Sequence, residues 1–269
     1  MTKKYIKKDK TPLHSAAEKG DLCLTVYILS KGADINAQDE SGWTPLHWAV
    51  YSGEINVVRF LIGQGADYNI TDGEGSPVYY AFEYGHVKLV KYFIEVLGID
   101  PMTVTECGTL SDRASVSGDL DTIEYLMNRD DVVYDCNDLL ERATRYGHLD
   151  VVKYLVEKKG VDVNFADENG WTPLLHAVER DELDVAWYLI EMGANVNATT
   201  EDGTTGLHIA AEYCSFDIVR CLIENRAKIN VRDKEGNTPL RLAIQDSEVQ
   251  DKRYKEDVKE YLISRGAHI

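Results

Sequence analysis

The sequence has 269 residues, with 29 lysines and arginines against 46 aspartates and glutamates, a formal net charge of −17. That balance excludes sequence-independent nucleic-acid binding, which needs a basic surface for phosphates, and disfavours a bare anionic membrane. No run approaches the roughly 18 apolar residues of a spanning helix, and no apolar segment follows the lysine-rich start MTKKYIKKDK, so neither membrane insertion nor a cleaved secretory leader is expected.

Lys3, Lys4, Lys7, Lys8 and Lys10 in that start form a solvated tail or a contact for an acidic or phosphorylated partner. Five cysteines follow along the chain, Cys23, Cys107, Cys136, Cys214 and Cys221, with no CxxC pair. They read as reduced thiols in a reducing compartment, which places the chain in the cytoplasm.

The most regular stretch is residues 39–71. Thr44 is a candidate helix N-cap, and Pro45 suits the first helical position, where its missing N–H costs nothing. Leu46, Ala49 and Val50 share one face of this first helix, and Gly53 ends it in a left-handed cap. Ile55, Val58, Leu61 and Ile62 share a face of a second helix that Gly65 caps, and residues 69–73 (NITDG) are turn chemistry. Two short helices cannot bury enough surface alone, so such units must stack on one another.

The pattern recurs on anchors at Thr11, Thr44, Ser76, Thr109, Asp138, Thr172, Thr205 and Thr238, spaced 33, 32, 33, 29, 34, 33 and 33 residues apart. The first unit lacks a preceding turn, and the third has Tyr79 where histidine stands in others. Units four and five are weak: Thr109-Leu110-Ser111-Asp112 and Asp138-Leu139-Leu140-Glu141 replace Thr-Pro-Leu-His. Their short spacing predicts that residues 130–135 run almost directly into the first helix of unit five, with irregular stacking there. Asp181 replaces the first cap glycine of unit six, and Cys214 and Arg226 replace both in unit seven; in unit seven both replacements must take φ > 0. Unit eight has extra residues around Asp246–Asp257, expected as a longer helix or a solvated loop.

Thr44-Pro45-Leu46-His47, Gly53, Val57-Val58, Leu61-Ile62 and Gly65-Ala66-Asp67 together resemble the ankyrin repeat. The resemblance extends over about residues 5–269. It implies an all-α solenoid of about eight helix-turn-helix units with projecting β-turns or hairpins, curved, with a concave binding face. The whole chain is then one domain, with repeats at approximately 5–38, 39–71, 72–104, 105–135, 136–166, 167–199, 200–232 and 233–269. It also implies that His14, His47 and His208 are structural imidazoles bonding neighbouring backbone. Asn36, Asn69, Asn164, Asn197 and Asn230 fit a slot that is hydroxylated in some relatives, although capping the turn accounts for them.

No phosphate-cradling G-x-x-x-x-G-K-[ST] and no G-x-S-x-G nucleophile motif occurs, and the histidines fall on repeat positions. No catalytic, cofactor-binding or metal-binding residue is expected, and no cofactor. General acid–base chemistry needs carboxylates in a desolvated cleft, which an open stack of repeats lacks.

The pattern leaves two positions open to partner contacts: the residue before the anchor, and the two before the first cap glycine. They hold Trp43 and Trp171, and Tyr51, Tyr84, Arg145, Tyr146, Arg180 and Tyr213. Aromatic and arginine side chains carry most of the energy of protein interfaces, but the tyrosines could equally pack along the ladder of first helices. Trp48, inside a first helix, is expected in packing between repeats. The expected function is a non-catalytic scaffold, monomeric, binding a protein partner on the concave face. The acidity fits a basic partner and equally well serves solubility alone. One alternative is an enzyme or enzyme-regulatory subunit with an acidic cleft at the repeat 4–5 junction, lined by Asp112, Asp130, Asp131, Asp138 and Glu141. Another is a host-directed effector from a microbe or virus.

Overall fold

The structure, a computed structural model, describes residues 10–105, 108–132, 134–245 and 252–269. Two compact units divide it, Met1–Val133 and Tyr134–Ile269. The first holds four helical pairs: α1 (Pro12–Glu18) with α2 (Leu22–Ser30), α3 (Pro45–Tyr51) with α4 (Ile55–Gly63), α5 (Pro77–Glu83) with α6 (Val87–Glu95), and α7 (Leu110–Ser117) with α8 (Leu120–Met127). A short antiparallel hairpin, β1 (Val104–Thr105) and β2 (Gly108–Thr109), precedes α7, with Val104 opposite Thr109. The second unit holds α9 (Cys136–Arg145) with α10 (Leu149–Lys159), α11 (Pro173–Glu179) with α12 (Leu183–Glu191), α13 (Gly206–Glu212) with α14 (Phe216–Glu224), and α15 (Pro239–Ile244) with α16 (Lys252–Ser264). Within each unit the first helices stack on first helices, and second helices pack beside second helices. The core lies between these two layers, built from residues such as Leu46, Val58, Leu61, Leu89 and Phe93 in one unit and Leu140, Leu155, Leu189 and Leu222 in the other.

The first helices begin as their sequences require. Thr44, Ser76, Thr109, Thr172, Thr205 and Thr238 are extended, and each hydroxyl accepts a backbone N–H from the third residue on. In repeats 1, 2 and 7 a histidine completes the cap. The Thr44 N–H donates to His47 Nδ1 at 3.0 Å, so the proton of this neutral ring sits on Nε2. That Nε2–H faces the next repeat's backbone: His14 reaches the Trp43 carbonyl (2.9 Å), His47 that of Gly75 (3.5 Å) and His208 that of Asn237 (3.1 Å). The histidines are therefore both caps and ties between repeats, as the resemblance implied. Tyr79 takes the place of this tie in repeat 3, and Arg113 of repeat 4 donates to its hydroxyl at 3.1 Å.

A second set of ties runs along the turns. Asn36 accepts the Asp67 N–H, Asn164 the Asn195 N–H, Asn197 the Lys228 N–H and Asn230 the His268 N–H, all at 2.7–3.0 Å. Three of the same amides donate to backbone carbonyls of the following repeat, at Gly193, Arg226 and Gly266. The side chains of these four asparagines thus join repeats rather than cap their own turns, whereas the Asn69 side-chain amide donates within its own turn, to Asp67 at 3.2 Å.

Asp181, Cys214 and Arg226 have φ of 61°, 57° and 68°, the left-handed geometry that their repeat positions demand. One helix start differs from the sequence reading. Asp138 does not cap α9; Asp135 does, accepting the N–H groups of Asn137 and Asp138, so the helix starts earlier and the connection is shorter than the anchor spacing suggested. The last helix is longer than its counterparts, at 13 residues, as the extra length of repeat 8 required. The charged run at 246–251 and the basic start at 1–9 lie outside the described residues.

A candidate protein-interaction face

Six of the eight candidate residues fall in one structural position, the C-terminal end of a first helix. Tyr51 is the last residue of α3, and Tyr84 follows the end of α5. In the second unit Arg145 ends α9, Tyr146 follows it, and Arg180 and Tyr213 follow α11 and α13. Tyr51, Tyr146 and Tyr213 are 40%, 53% and 55% exposed. Tyr84 is half-buried, meeting Tyr51 edge-on (5.1 Å between centroids) and stacking on Tyr80 (5.7 Å). Tyr84 therefore packs along the ladder, while Tyr146 and Tyr213 present their rings to solvent.

Trp43 does not belong on this face. It is fully buried, 0% exposed, against Trp48, Tyr80 and His47. Its indole N–H donates to Asp72 of the next repeat's turn at 2.6 Å. The position before the anchor points along the stack, into the groove between neighbouring turns, rather than away from it. Asp72 also takes the Tyr80 hydroxyl (2.7 Å) and the Glu74 and Gly75 N–H groups. Burial pushes its carboxyl up, but those donors outweigh burial and hold it below the usual carboxylate range. Trp48 is also buried, as its place in the helix implied, and its N–H donates to Asp39 at 2.9 Å.

Trp171 occupies the same repeat position as Trp43 but stays half-buried. It stacks on His176 at 5.0 Å and 17°. That imidazole is 4% exposed, and neither ring nitrogen has a hydrogen-bond partner. Burial, with the positive charge of Arg145, lowers its pKa to about 4. Beside it Arg145 bridges repeats 5 and 6, with Glu141 at 3.2 Å and Glu179 at 3.9 Å. Glu141 titrates high because burial outweighs the Arg145 charge.

Next to Trp171 a groove of about 400 Å³ opens between repeats 6 and 7. Trp171 and Tyr213 line it together with Glu179, Glu201, Asp202 and Glu212. A second groove of about 440 Å³ lies between the turns of repeats 5 and 6, with Asp138, Glu141, Asp167 and Glu168 in its lining. The sequence places Glu83, Glu179 and Glu212 in the same helix-end pairs as Tyr84, Arg180 and Tyr213, although the candidate contact residues are drawn from the tyrosines and arginines. The signal was present: Glu18, Glu83, Glu179 and Glu212 all end first helices.

Comparison with known proteins decides the family. The profile described as ankyrin repeats (3 copies) matches residues 2–72 and 110–200, and one described as ankyrin repeats (many copies) matches residues 189–243. The chain belongs to the ankyrin-repeat family. A crystal structure of the human ASB11 ankyrin repeat domain is similar at 20% identity, over 97% of this chain and 100% of that one, with a TM-score of 0.47. No curated protein matches the sequence. Ankyrin repeats generally mediate protein–protein interaction and are typically non-catalytic.

Four of the five carboxylates of the alternative acidic cleft have structural partners within their own ankyrin repeats. Asp112 completes the capping box of α7, and Asp131 pairs with Arg129. Asp138 pairs with Arg142, and Glu141 with Arg145. Asp112, Asp130 and Asp131 belong to the first unit, Asp138 and Glu141 to the second. Cys214 and Cys221 are buried, and burial raises both thiols, Cys221 to about 11, so neither ionises near neutrality. Cys23 is exposed, and Cys107 lies outside the described residues. Among the described residues no helix is long and apolar enough to cross a membrane.

Proposed function

We propose that this ankyrin-repeat chain is a non-catalytic adaptor, all eight repeats acting as one domain, that captures a basic segment of a partner protein on the ends of its first helices. The observation that carries the reading is the recurrence of exposed tyrosine or arginine at one repeat position, Arg180, Tyr213 and Tyr146, beside Glu179, Glu212 and Arg145 respectively. Such side chains present large, rigid contact area with a polar tip, the composition of interface anchors. The net charge of −17 favours a basic partner and speeds its approach. Trp171 contributes from the groove rather than from the rim. Trp43 is removed from the contact set by its burial. The soluble, monomeric chain in a cytosol remains part of this proposal.

Affinity capture from native lysate tests it, comparing the wild type with Tyr51→Ala/Tyr146→Ala/Tyr213→Ala. All three rings are exposed, so the variant keeps the fold while losing the partner. A partner retained by the triple variant at unchanged yield sinks the assignment of this face.

A further inference from the structure

We propose that the groove between repeats 6 and 7 takes one arginine or lysine side chain of a partner protein, its cation lying against Trp171 and Tyr213 and paired with Glu179 and Glu212. This deepens the adaptor reading above and rests on it.

The chain carries its own precedent. Between repeats 1 and 2 the Lys10 ammonium lies 3.0 Å from the centroid of the Trp48 ring and 2.8 Å from Glu18. Lys10 is the residue before the Thr11 anchor, Glu18 ends α1, and Trp48 sits in the first helix of the next repeat. The inter-repeat groove is therefore a place where a cation is held between an aromatic face and a carboxylate. In repeats 6 and 7 the corresponding residues are Trp171, Glu179 and Ile209. Glu179 keeps the carboxylate of Glu18 and Trp171 brings the aromatic ring from the other side, while the cations nearest Glu179, Arg180 at 3.6 Å and Arg145 at 3.9 Å, do not lie over Trp171 among the described residues.

The distribution of cations elsewhere sharpens the contrast. Tyr27, Tyr92, Tyr125, Tyr154, Tyr188 and Tyr261 each have a lysine or arginine of the chain over the ring. Among the described residues no cation lies over Trp171 or Tyr213. The same holds for the acids: Glu201, Asp202 and Glu212 make no ion pair among the described residues. Glu179 has guanidinium nitrogens no nearer than 3.6 Å (Arg180) and 3.9 Å (Arg145), and its Oε2 is buried without a hydrogen bond. The neighbouring acidic groove differs, because Arg142 and Arg145 already pair with Asp138 and Glu141 there. A groove of about 400 Å³ admits one long side chain and no folded element. Its carboxylates exclude phosphate and acidic peptides, while an aromatic face beside a carboxylate suits a guanidinium or ammonium.

The full-length chain is titrated with N-acetyl-arginine amide, N-acetyl-lysine amide and the uncharged N-acetyl-norleucine amide, following the Trp171 indole N–H by NMR. The two cations should shift it saturably, and norleucine amide should not. Glu179→Gln/Glu212→Gln should weaken arginine amide binding roughly tenfold, with unchanged melting temperature. Glu191→Gln/Glu224→Gln removes the same charge from exposed second helices and should leave binding intact. Equal shifts with norleucine amide, an unchanged midpoint in the groove variant, an equal loss in the control variant, or no saturable shift each overturn the proposal. Partner capture that persists while the arginine titration fails removes the groove and leaves the adaptor reading. An intact titration with capture lost from the Tyr51/Tyr146/Tyr213 variant and unaffected by the groove variant removes the groove's part in the partner contact.

Discussion

Three non-glycine residues in left-handed backbone show how the repeat imposes geometry on single residues. The turn after most of the helices takes φ > 0, and Asp181, Cys214 and Arg226 adopt it although an L side chain is strained there. Arg226 is exposed, so glycine at that position loses little packing. Arg226→Gly should stabilise the chain by about 1 kcal/mol, read as a raised urea midpoint with unchanged slope. A lowered midpoint would mean that the arginine makes contacts worth more than the strain. Buried histidines set a second residue-level expectation. His47 and His176 stay neutral in the fold, with pKa lowered by burial to about 4 against 6.5 for an unperturbed histidine. Between those values the unfolded chain binds more protons, so stability is full above pH 6.5 and falls steadily as pH drops toward 4. His176→Leu should reduce that pH slope by up to about one proton's worth, roughly 1.4 kcal/mol per pH unit, in urea melts at pH 4.5 to 6.5. An unchanged slope would place the titration elsewhere.

Helices and turns were legible where a local rule decides them. The capping hydroxyls, the prolines at first helical positions and the left-handed caps all follow from short-range chemistry, and the anchors located them. Asp135 was missed because two aspartates lie three residues apart, and the anchor spacing pointed to the second while Asp135 accepts the Asn137 and Asp138 N–H groups. Trp43 was misplaced for a related reason: a large ring before the anchor is equally compatible with a rim or a groove, and the acceptor that draws it inward, Asp72, lies in the next repeat. The asparagine ties have the same long-range character. Asn197 receives the Lys228 N–H at 2.8 Å and donates to the Arg226 carbonyl at 3.4 Å. Asn197→Ala should therefore cost about 1 kcal/mol and loosen the turns of repeats 6 and 7 without disturbing their helices. Faster amide exchange at Lys228, with α13 and α14 unaffected, is the expected signature; uniform destabilisation would deny the tie its local role.

At the scale of the whole molecule, stability in a stacked-repeat chain is approximately a sum of repeat and nearest-neighbour terms, so different stretches can open at different cost. The chain divides into Met1–Val133 and Tyr134–Ile269, and the sources of strain are unequal between them. Among the described residues the three non-glycine left-handed positions all lie in the second unit. So is His176, buried with neither ring nitrogen hydrogen-bonded and its Nε2 3.7 Å from Glu141, a cost of roughly 1–3 kcal/mol. In the first unit Thr122 Oγ1 is buried without a hydrogen bond, but the buried Trp43 and Trp48 indoles both reach carboxylates. The second unit should consequently lose its amide protection first as urea rises, in hydrogen exchange read unit by unit. Arg226→Gly should then narrow the gap between the two transitions by raising only the second. Coincident transitions in the wild type would show that the two units open as one. A first unit that opens earlier would mean that backbone strain counts for less here than the pairing of repeats.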